Sequence, residues 1–553
     1  MPRTWIQITA LIAITVAVYM NAPQGQFMNI DDNLLIYNNP KVQEFTVANI
    51  KEIFSTFDPE LYIPFTLLSY QIEYRFVGEH PSLFHTTNVI LHLLNVLLVF
   101  ALIRFFNKKW FVPFITAALF AIHPINTETV MWISGRKDLL STFFFLGSLV
   151  MYCRYKVNGG RPSFYGSLIL FICALMSKIS TVSLPLLIIL IDDILPTKDT
   201  ENKTIRLWAF GIPALAFLGI GMLGKMLSVF VLSYWEAILL ACKGIYFYLE
   251  KILLPTRLSM VYEQITPIGL FQEDFFFPVL MLIAITVISI ASRAFGKIVS
   301  FSMMWYALTL LPTLGNAVKG TESSIYYASD RYAYIPSIGI FFMMACGVAW
   351  IIEHSTKKRQ VLITSIIVVV IATYGVTARY YADLWLTPKK YHERVVKLYP
   401  ESMLSRTLMG MVLIKEEDNE AALPHFEKAV ERKPGYSNPR AHLGLTLVKT
   451  GEVDRGIEEL EMAIALNETH TYSYVYLSYA YMLKGDDAKA RELLEEALEK
   501  DPENPKILQM YGTLERRTGH PKKAEAYFRS SIKYDPTSIQ AKAALARLLR
   551  EKG

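Results

Sequence analysis

Cysteine is scarce in this chain: four among 553 residues, Cys153, Cys173, Cys242 and Cys346. No CxxC pair occurs, which removes zinc ribbons and dithiol redox motifs. All four lie in apolar stretches and read as small buried residues. Charge is also scarce, but only in part of the chain. The first 400 residues hold 32 Lys and Arg and 24 Asp and Glu; the last 153 hold 23 and 25. The whole is 53% hydrophobic with a mean hydropathy of +0.31. Such a balance excludes a disordered chain, a disulfide scaffold and a single soluble globule. Two materials are joined near residue 390.

The charge-poor part carries apolar runs suited to crossing about 30 Å of hydrocarbon. Spans are predicted at 4–21, 83–105, 110–123, 138–155, 163–177, 179–195, 207–227, 276–292, 298–315, 334–352 and 361–381. The first lacks a small-residue cleavage site and is expected to be a retained helix. Basic loops at 104–109, 154–161, 198–206, 293–297 and 357–359 are placed in the cytoplasm with Arg3. Segments 21–82, 124–137 and 316–333 and everything after residue 381 then face outward. Residues 233–254 carry Glu236, Lys243, Glu250 and Lys251 and read as an amphipathic helix at the outer surface. That makes eleven crossings; a twelfth there, with one short span misread, is the alternative.

Residues 401–553 repeat with a period of 34. Pro434, Pro502 and Pro536 share a register, with Glu468 in the remaining place. Ala429, Ala463, Ala497 and Ser531 form a second row, and Ala422, Gly456, Ala490 and Ala524 a third. Gly410, Gly444, Ser478 and Gly512 form another, and Phe426, Leu460, Leu494 and Phe528 the large apolar one. The pattern resembles the tetratricopeptide repeat, two antiparallel helices per unit. The expected organisation is a membrane domain over 1–385, a linker over 386–402, four repeats over 403–538 and a capping helix over 539–553. Such arrays offer a concave surface to protein partners. Tyr472, Tyr476 and Tyr479 are the candidate acceptor contacts, against the plainer reading that they fill helix packing.

Ionisable groups near lipid are costly and mark function. Asp31 and Asp32 lie soon after the first span; adjacent carboxylates repel, and one can be raised toward a useful general base. The plainer reading is a solvated loop or a helix cap. His123, Glu128, Arg136, Lys137 and Asp138 fall within sixteen residues between two spans. Lys178 stands in a turn between apolar runs, and Asp330 and Arg331 in an outward segment. Arg136 in the 123–138 cluster can clamp a phosphate with two parallel hydrogen bonds. His85 and His92 read as polar core or lipid-headgroup contacts, two His being too few for a metal site.

Several blocks together carry a resemblance. They are Asp31 to Asn39-Pro40; Tyr62-Ile63-Pro64-Phe65; Phe84-His85 to Asn88 and Leu91-His92; His123-Pro124 with Thr127-Glu128; Gly135 to Leu140; Ser177-Lys178; and Arg331 to Ser337. In this order, ahead of the repeats, they resemble the transmembrane and TPR repeat-containing (TMTC) O-mannosyltransferases. One departure is Lys178-Ile179, where many relatives carry Lys-Glu. The resemblance implies an all-α chain: a GT-C type polytopic membrane domain of about eleven helices, then a tetratricopeptide α-solenoid.

It also implies an inverting transferase that moves mannose or another hexose from a polyprenyl- or dolichyl-phosphate carrier to Ser or Thr hydroxyls of a protein. The expected base is Asp31, with Asp32 second. Arg136, Lys178, His123 and Arg331 are the expected phosphate ligands, supported by Glu128, Asp138 and Asp330. No cofactor and no required metal are expected, a divalent ion on the acidic pair being the alternative. The expected partners are the lipid-linked sugar, an acceptor protein and the bilayer, without nucleic acid. The setting is a bacterial inner membrane with periplasmic repeats, or an endoplasmic reticulum membrane with lumenal ones. Two alternatives stay open: transfer to a glycolipid or polysaccharide, and a non-catalytic membrane scaffold.

Overall fold

Polarity runs inward in the first part of the chain. Helix Pro81–Phe106 buries His85, Asn88, His92 and Asn95, spaced three to four residues apart on one face. His92 bonds the Tyr334 hydroxyl at 2.7 Å and the Ala121 carbonyl at 3.0 Å; Asn95 donates to the Leu139 carbonyl at 3.0 Å. Large apolar side chains point outward instead, among them Val361, Leu362, Ile366, Val368 and Val369 on helix Lys357–Leu384. Apolar surface needs no burial in protein when lipid surrounds it, whereas inward polar groups need partners.

A computed structural model of the chain describes residues 2–28, 30–58, 61–195, 203–225, 232–291, 297–314, 320–321, 324–535 and 538–552. Asn29 and Pro536, parts of the expected basic loops (198–202 and 293–296) and residues 316–319 and 322–323 of the expected outward segment lie outside the described residues. Two compact units form, Met1–Thr387 and Pro388–Gly553.

In the first unit, seven helices among the described residues are long and apolar enough to cross a membrane. They are Thr4–Gln24, Pro81–Phe106, Thr204–Gly224, Glu273–Ala291, Lys297–Leu314, Pro336–Glu353 and Lys357–Leu384. The other four expected spans fall on Phe111–Ile122, Arg136–Asn158, Arg161–Ser177 and Leu184–Ile194. Three of these are short, and Arg136–Asn158 carries charge at both ends. The count of eleven therefore rests on helices that length and hydropathy alone do not place across a bilayer. Helix Tyr234–Leu253 opens with a capping box from Ser233 and Glu236 and buries one face through Leu239, Leu240, Phe247 and Tyr248. A small antiparallel sheet, Tyr262–Gln264 beside Ser324–Ala328 beside Gly320–Thr321, leads into Asp330 and Arg331.

The second unit is a run of helical hairpins. The first helices of the pairs are Met403–Lys415, Ser437–Lys449, Thr471–Lys484 and Pro505–Arg517, and Ile539–Lys552 follows in the same register. The small-residue row has a steric cause. A Cβ on Gly410 would lie 2.5 Å from the Phe426 ring, and one on Gly512 2.7 Å from the Phe528 ring. The glycines let the partner ring seat against the helix backbone. The segment expected to be a linker, 386–402, contains helix Pro388–Leu398, which packs on the first repeat helix and buries Tyr391, His392 and Val395.

Candidate active site

The two adjacent carboxylates have different surroundings. Asp32 is fully buried at the start of a π-helical turn, Asn33–Tyr37, a feature frequent at functional sites. Its side chain does not cap that turn. It accepts from Met28 N at 2.7 Å, from Ser134 N at 3.1 Å and from Ser134 Oγ at 2.5 Å. Burial, and secondarily the neighbouring Asp31 charge, push its carboxyl up to about 6 against the pull of these bonds. Asp31 keeps 39% of its side chain exposed and accepts from Lys137 Nζ at 2.9 Å. Burial opposes its charge, but Lys137, Arg331 and Lys178 together hold it below the usual carboxylate range.

Those three cations are linked through two rings. Lys137 Nζ lies 5.2 Å and Arg331 Cζ 4.9 Å from the centre of the Trp132 ring. Arg331 Cζ lies 4.8 Å and Lys178 Nζ 5.3 Å from the Tyr332 ring. Each cation–ring contact is attractive and fixes a long side chain in place. Arg331 pairs with buried Glu128 at 2.6 Å, and Ser329 Oγ donates to the same carboxylate at 3.0 Å. Burial works against the Arg331 charge, but Tyr332, Glu128 and Asp138 outweigh it and raise its pKa. Lys178 pairs with Asp138. Asp330 is buried and accepts from the Tyr262 hydroxyl at 2.7 Å.

Lys178 also lines an apolar cavity of about 360 Å³, with Ile63, Leu186, Leu218, Met222 and Leu311 among its walls. Among the described residues, no three His, Cys, Asp or Glu side chains converge to hold a metal ion.

Two expected phosphate ligands sit elsewhere. Arg136 is fully buried, and all five of its donors have protein acceptors. Nε bonds Asn88 Oδ1 at 2.5 Å; the two terminal nitrogens bond Glu73 Oε1 and Oε2 at 3.0 Å each, the Phe84 carbonyl at 2.9 Å and Ser69 Oγ at 3.3 Å. Its guanidinium has no donor left for a ligand, and this geometry supports a positioning role. His123 is buried between the rings of Phe341 and Tyr374, and its Nδ1 accepts from Ile125 N at 3.3 Å. Such an apolar setting does not suit an anion ligand.

The turn before Arg136 is shaped by one close approach. A Cβ on Gly135 would lie 2.4 Å from the Thr129 carbonyl oxygen, so a side chain there displaces the turn. Sequence reasoning did not single out Glu73 or Trp132; Ser134 and Tyr332 stood beside the candidate charges without an assigned role. Glu73 carried one signal, an acid in an otherwise largely apolar helix, Pro64–Val77. Lys137 stood inside the charged block without an assigned role.

In the repeat unit, Tyr472 and Tyr476 pack ring to ring at 6.1 Å, and Tyr476 meets His442 at 5.9 Å. Lys506 Nζ lies 5.7 Å from the Tyr472 ring, and Tyr472 stays 41% exposed. Tyr479 is partly buried against the repeat core.

A family model described as tetratricopeptide repeat matches residues 413–474 and 481–549. Protein O-mannosyl-transferase TMTC1 of Mus musculus is 34% identical over 151 residues, covering 26% of this chain and 16% of that protein. Its Homo sapiens counterpart is 33% identical over 183 residues, 29% of this chain and 20% of that one. A Caenorhabditis elegans protein named as a protein O-mannosyl-transferase is 22% identical over 457 residues, 77% of this chain and 62% of that protein. The matched segments thus span a fifth or less of the two TMTC1 proteins. A thermophilic TPR protein of Thermus thermophilus, of known structure, is 21% identical, covering 32% of this chain and 95% of that one, with a TM-score of 0.28. The chain is TMTC-like: a membrane protein similar in sequence to the TMTC protein O-mannosyl-transferases and carrying tetratricopeptide repeats.

Proposed function

We propose that this chain transfers mannose or another hexose from a polyprenyl- or dolichyl-phosphate carrier to Ser or Thr hydroxyls of a protein outside the cytoplasm. One observation carries the reading: a part-exposed carboxylate, Asp31, faces three ring-braced cations, one of which lines an apolar cavity. A polyprenyl phosphate needs that pairing, a greasy channel for the tail and fixed positive charge for the phosphate.

The acceptor hydroxyl oxygen attacks the anomeric carbon, and its proton passes to Asp31. The bond from that carbon to the phosphate oxygen breaks, and the lipid phosphate leaves with the electron pair. A single displacement inverts the anomeric centre. Lys178, Lys137 and Arg331 face the developing phosphate charge, and preorganised cations of this kind supply several kcal/mol. Phosphate binding also draws positive charge away from Asp31, so its proton affinity rises as the donor arrives. Asp32 shapes the loop through Ser134 and does not touch substrate. The repeats, through the Tyr472–Tyr476 surface, engage the acceptor. No metal takes part in this scheme.

The test is transfer by the full chain in lipid nanodiscs, from a polyprenyl-phosphate hexose to a Ser/Thr peptide, read by mass spectrometry. Asp31→Asn is expected to lower the rate by about 10²–10⁴ in a chain that still folds, with at most a small loss of thermal stability from the Lys137 pair. Full activity of Asp31→Asn, or hexose found only on lipid, overturns the reading.

A further inference from the structure

The turn Val130–Ser134 supplies two of the three donors to Asp32 and the ring that braces Lys137 and Arg331. It joins the end of a five-residue helix, Thr127–Met131, to a single 3-10 turn, Ile133–Gly135, ahead of helix Arg136–Asn158. Besides the local backbone bonds from Trp132 N to the Glu128 carbonyl and from Gly135 N to the Trp132 carbonyl, its carbonyls accept from buried side chains of two distant helices. Asn88 Nδ2 donates to the Trp132 carbonyl at 2.9 Å, with longer contacts of 3.4 Å to Val130 and Ile133. The Tyr70 hydroxyl donates to the Ile133 carbonyl at 2.9 Å.

The orientation of Asn88 is set one step further out. Arg136 Nε donates to Asn88 Oδ1, which obliges the amide NH₂ to face the turn carbonyls. Arg136 is in turn held by two parallel bonds to Glu73, and its Cζ lies 5.2 Å from the Tyr70 ring. Fork-to-fork pairing fixes the guanidinium plane as well as its position. A chain of fixed contacts therefore runs from Glu73 through Arg136 and Asn88 to the backbone of residues 130–133, and from there to Asp32 and Trp132.

We infer that Glu73, Arg136 and Asn88 form a positioning clamp for the turn Val130–Ser134, and through it for the Asp32 loop and the cation-bracing Trp132 ring. The clamp's effect on turnover rests on the transferase reading above. Its effect on the turn does not. Arg136 is fully buried and its donors are all engaged, so the clamp acts without touching donor or acceptor. Small displacements of a reacting group are costly in rate, and this turn is tied to the neighbouring helices through the side chains of Asn88 and Tyr70.

The experiment compares full-length wild type, Glu73→Gln, Arg136→Lys, Tyr70→Phe and Asp31→Asn in nanodiscs. Each is read by hydrogen exchange of the 130–134 amides, by melting temperature, and by kcat and KM for a polyprenyl-phosphate hexose. Glu73→Gln leaves one Arg136 donor facing an amide NH₂, and Arg136→Lys cannot bond Glu73 and Asn88 together. Both are expected to speed exchange at 130–134 and to lower kcat by about 10- to 100-fold, with donor KM changing less than about 3-fold. Tyr70→Phe keeps the ring, removes a single bond to the turn, and is expected to show the same pattern in milder form; it carries the test if the charged variants fail to fold. Unchanged exchange at 130–134, or a fall in kcat that only tracks the folded fraction, overturns the clamp. Absence of transfer by wild type, or full transfer by Asp31→Asn, overturns the transferase reading, while the exchange data still decide the clamp.

Discussion

Helix Pro81–Phe106 and the repeat helices bury opposite kinds of side chain. The first buries His85, Asn88, His92 and Asn95; the second bury Ala429, Leu460, Ala497 and Phe528. In the membrane unit, directed hydrogen bonds decide which helix faces which. In the repeat unit, shape decides, since a glycine row must receive a ring row. The two units should therefore fail differently, one by leaving charge unpaired and the other by crowding or emptying a contact.

The strongest way to break that contrast is Arg136→Ala. It strands Glu73, a carboxylate with little exposure, and takes the acceptor-side partner from Asn88. Removing one member of a buried pair costs about 3–5 kcal/mol. Melting of the solubilised chain should show a clear loss, and Glu73→Leu/Arg136→Met together should recover part of it. If the single variant melts like wild type, polar satisfaction is not what holds this unit. A smaller effect is expected from Gly512→Leu. Its side chain must enter the space of the Phe528 ring, and overpacking of this kind costs about 1–3 kcal/mol. Chemical denaturation of the chain should report that loss in the repeat transition.

The smallest expected effect is a change of slope. Asp32 has its carboxyl raised from 3.8 to about 6 by burial. Between those values the folded chain holds a proton that the unfolded chain releases, so this group's contribution to stability falls as pH rises through the window. Melting temperature followed from about pH 4 to pH 7 should therefore carry a downward component that Asp32→Asn removes. Asp31 has the opposite sign. Its lowered carboxyl stabilises the fold above the ordinary carboxylate range, and that contribution is lost as acid protonates it.

Legibility in the sequence followed the range of the interaction. The first helices of the pairs begin at 403, 437, 471 and 505, spaced by the 34-residue period seen in the sequence. Each hairpin packs on its sequence neighbour, so every contact recurs at one spacing. The candidate site is built from pairs that do not recur. Asp31 meets Lys137, and Glu128 meets Arg331, across 106 and 203 residues. Residue type marked these positions as unusual for an apolar stretch but could not say which charge answers which. Arg136 shows the consequence. A guanidinium between two spans reads as a phosphate ligand until Glu73, 63 residues earlier, is seen to occupy it. Span number had a related difficulty, since Phe111–Ile122 and Leu184–Ile194 are apolar yet short.

The amino-acid order by itself determined the two materials, the 34-residue period, the polar face of helix Pro81–Phe106 and the small set of charges near Asp31, because each follows from composition or from spacing along a helix. Only the tertiary structure decided that Asp31 is partly open while Asp32 is sealed, that Lys137 and not Arg136 meets the open carboxylate, and that Lys178 lines an apolar cavity. The physical reason is desolvation. What a buried charge can do depends on the one partner that stands opposite it, and that partner is chosen by folding.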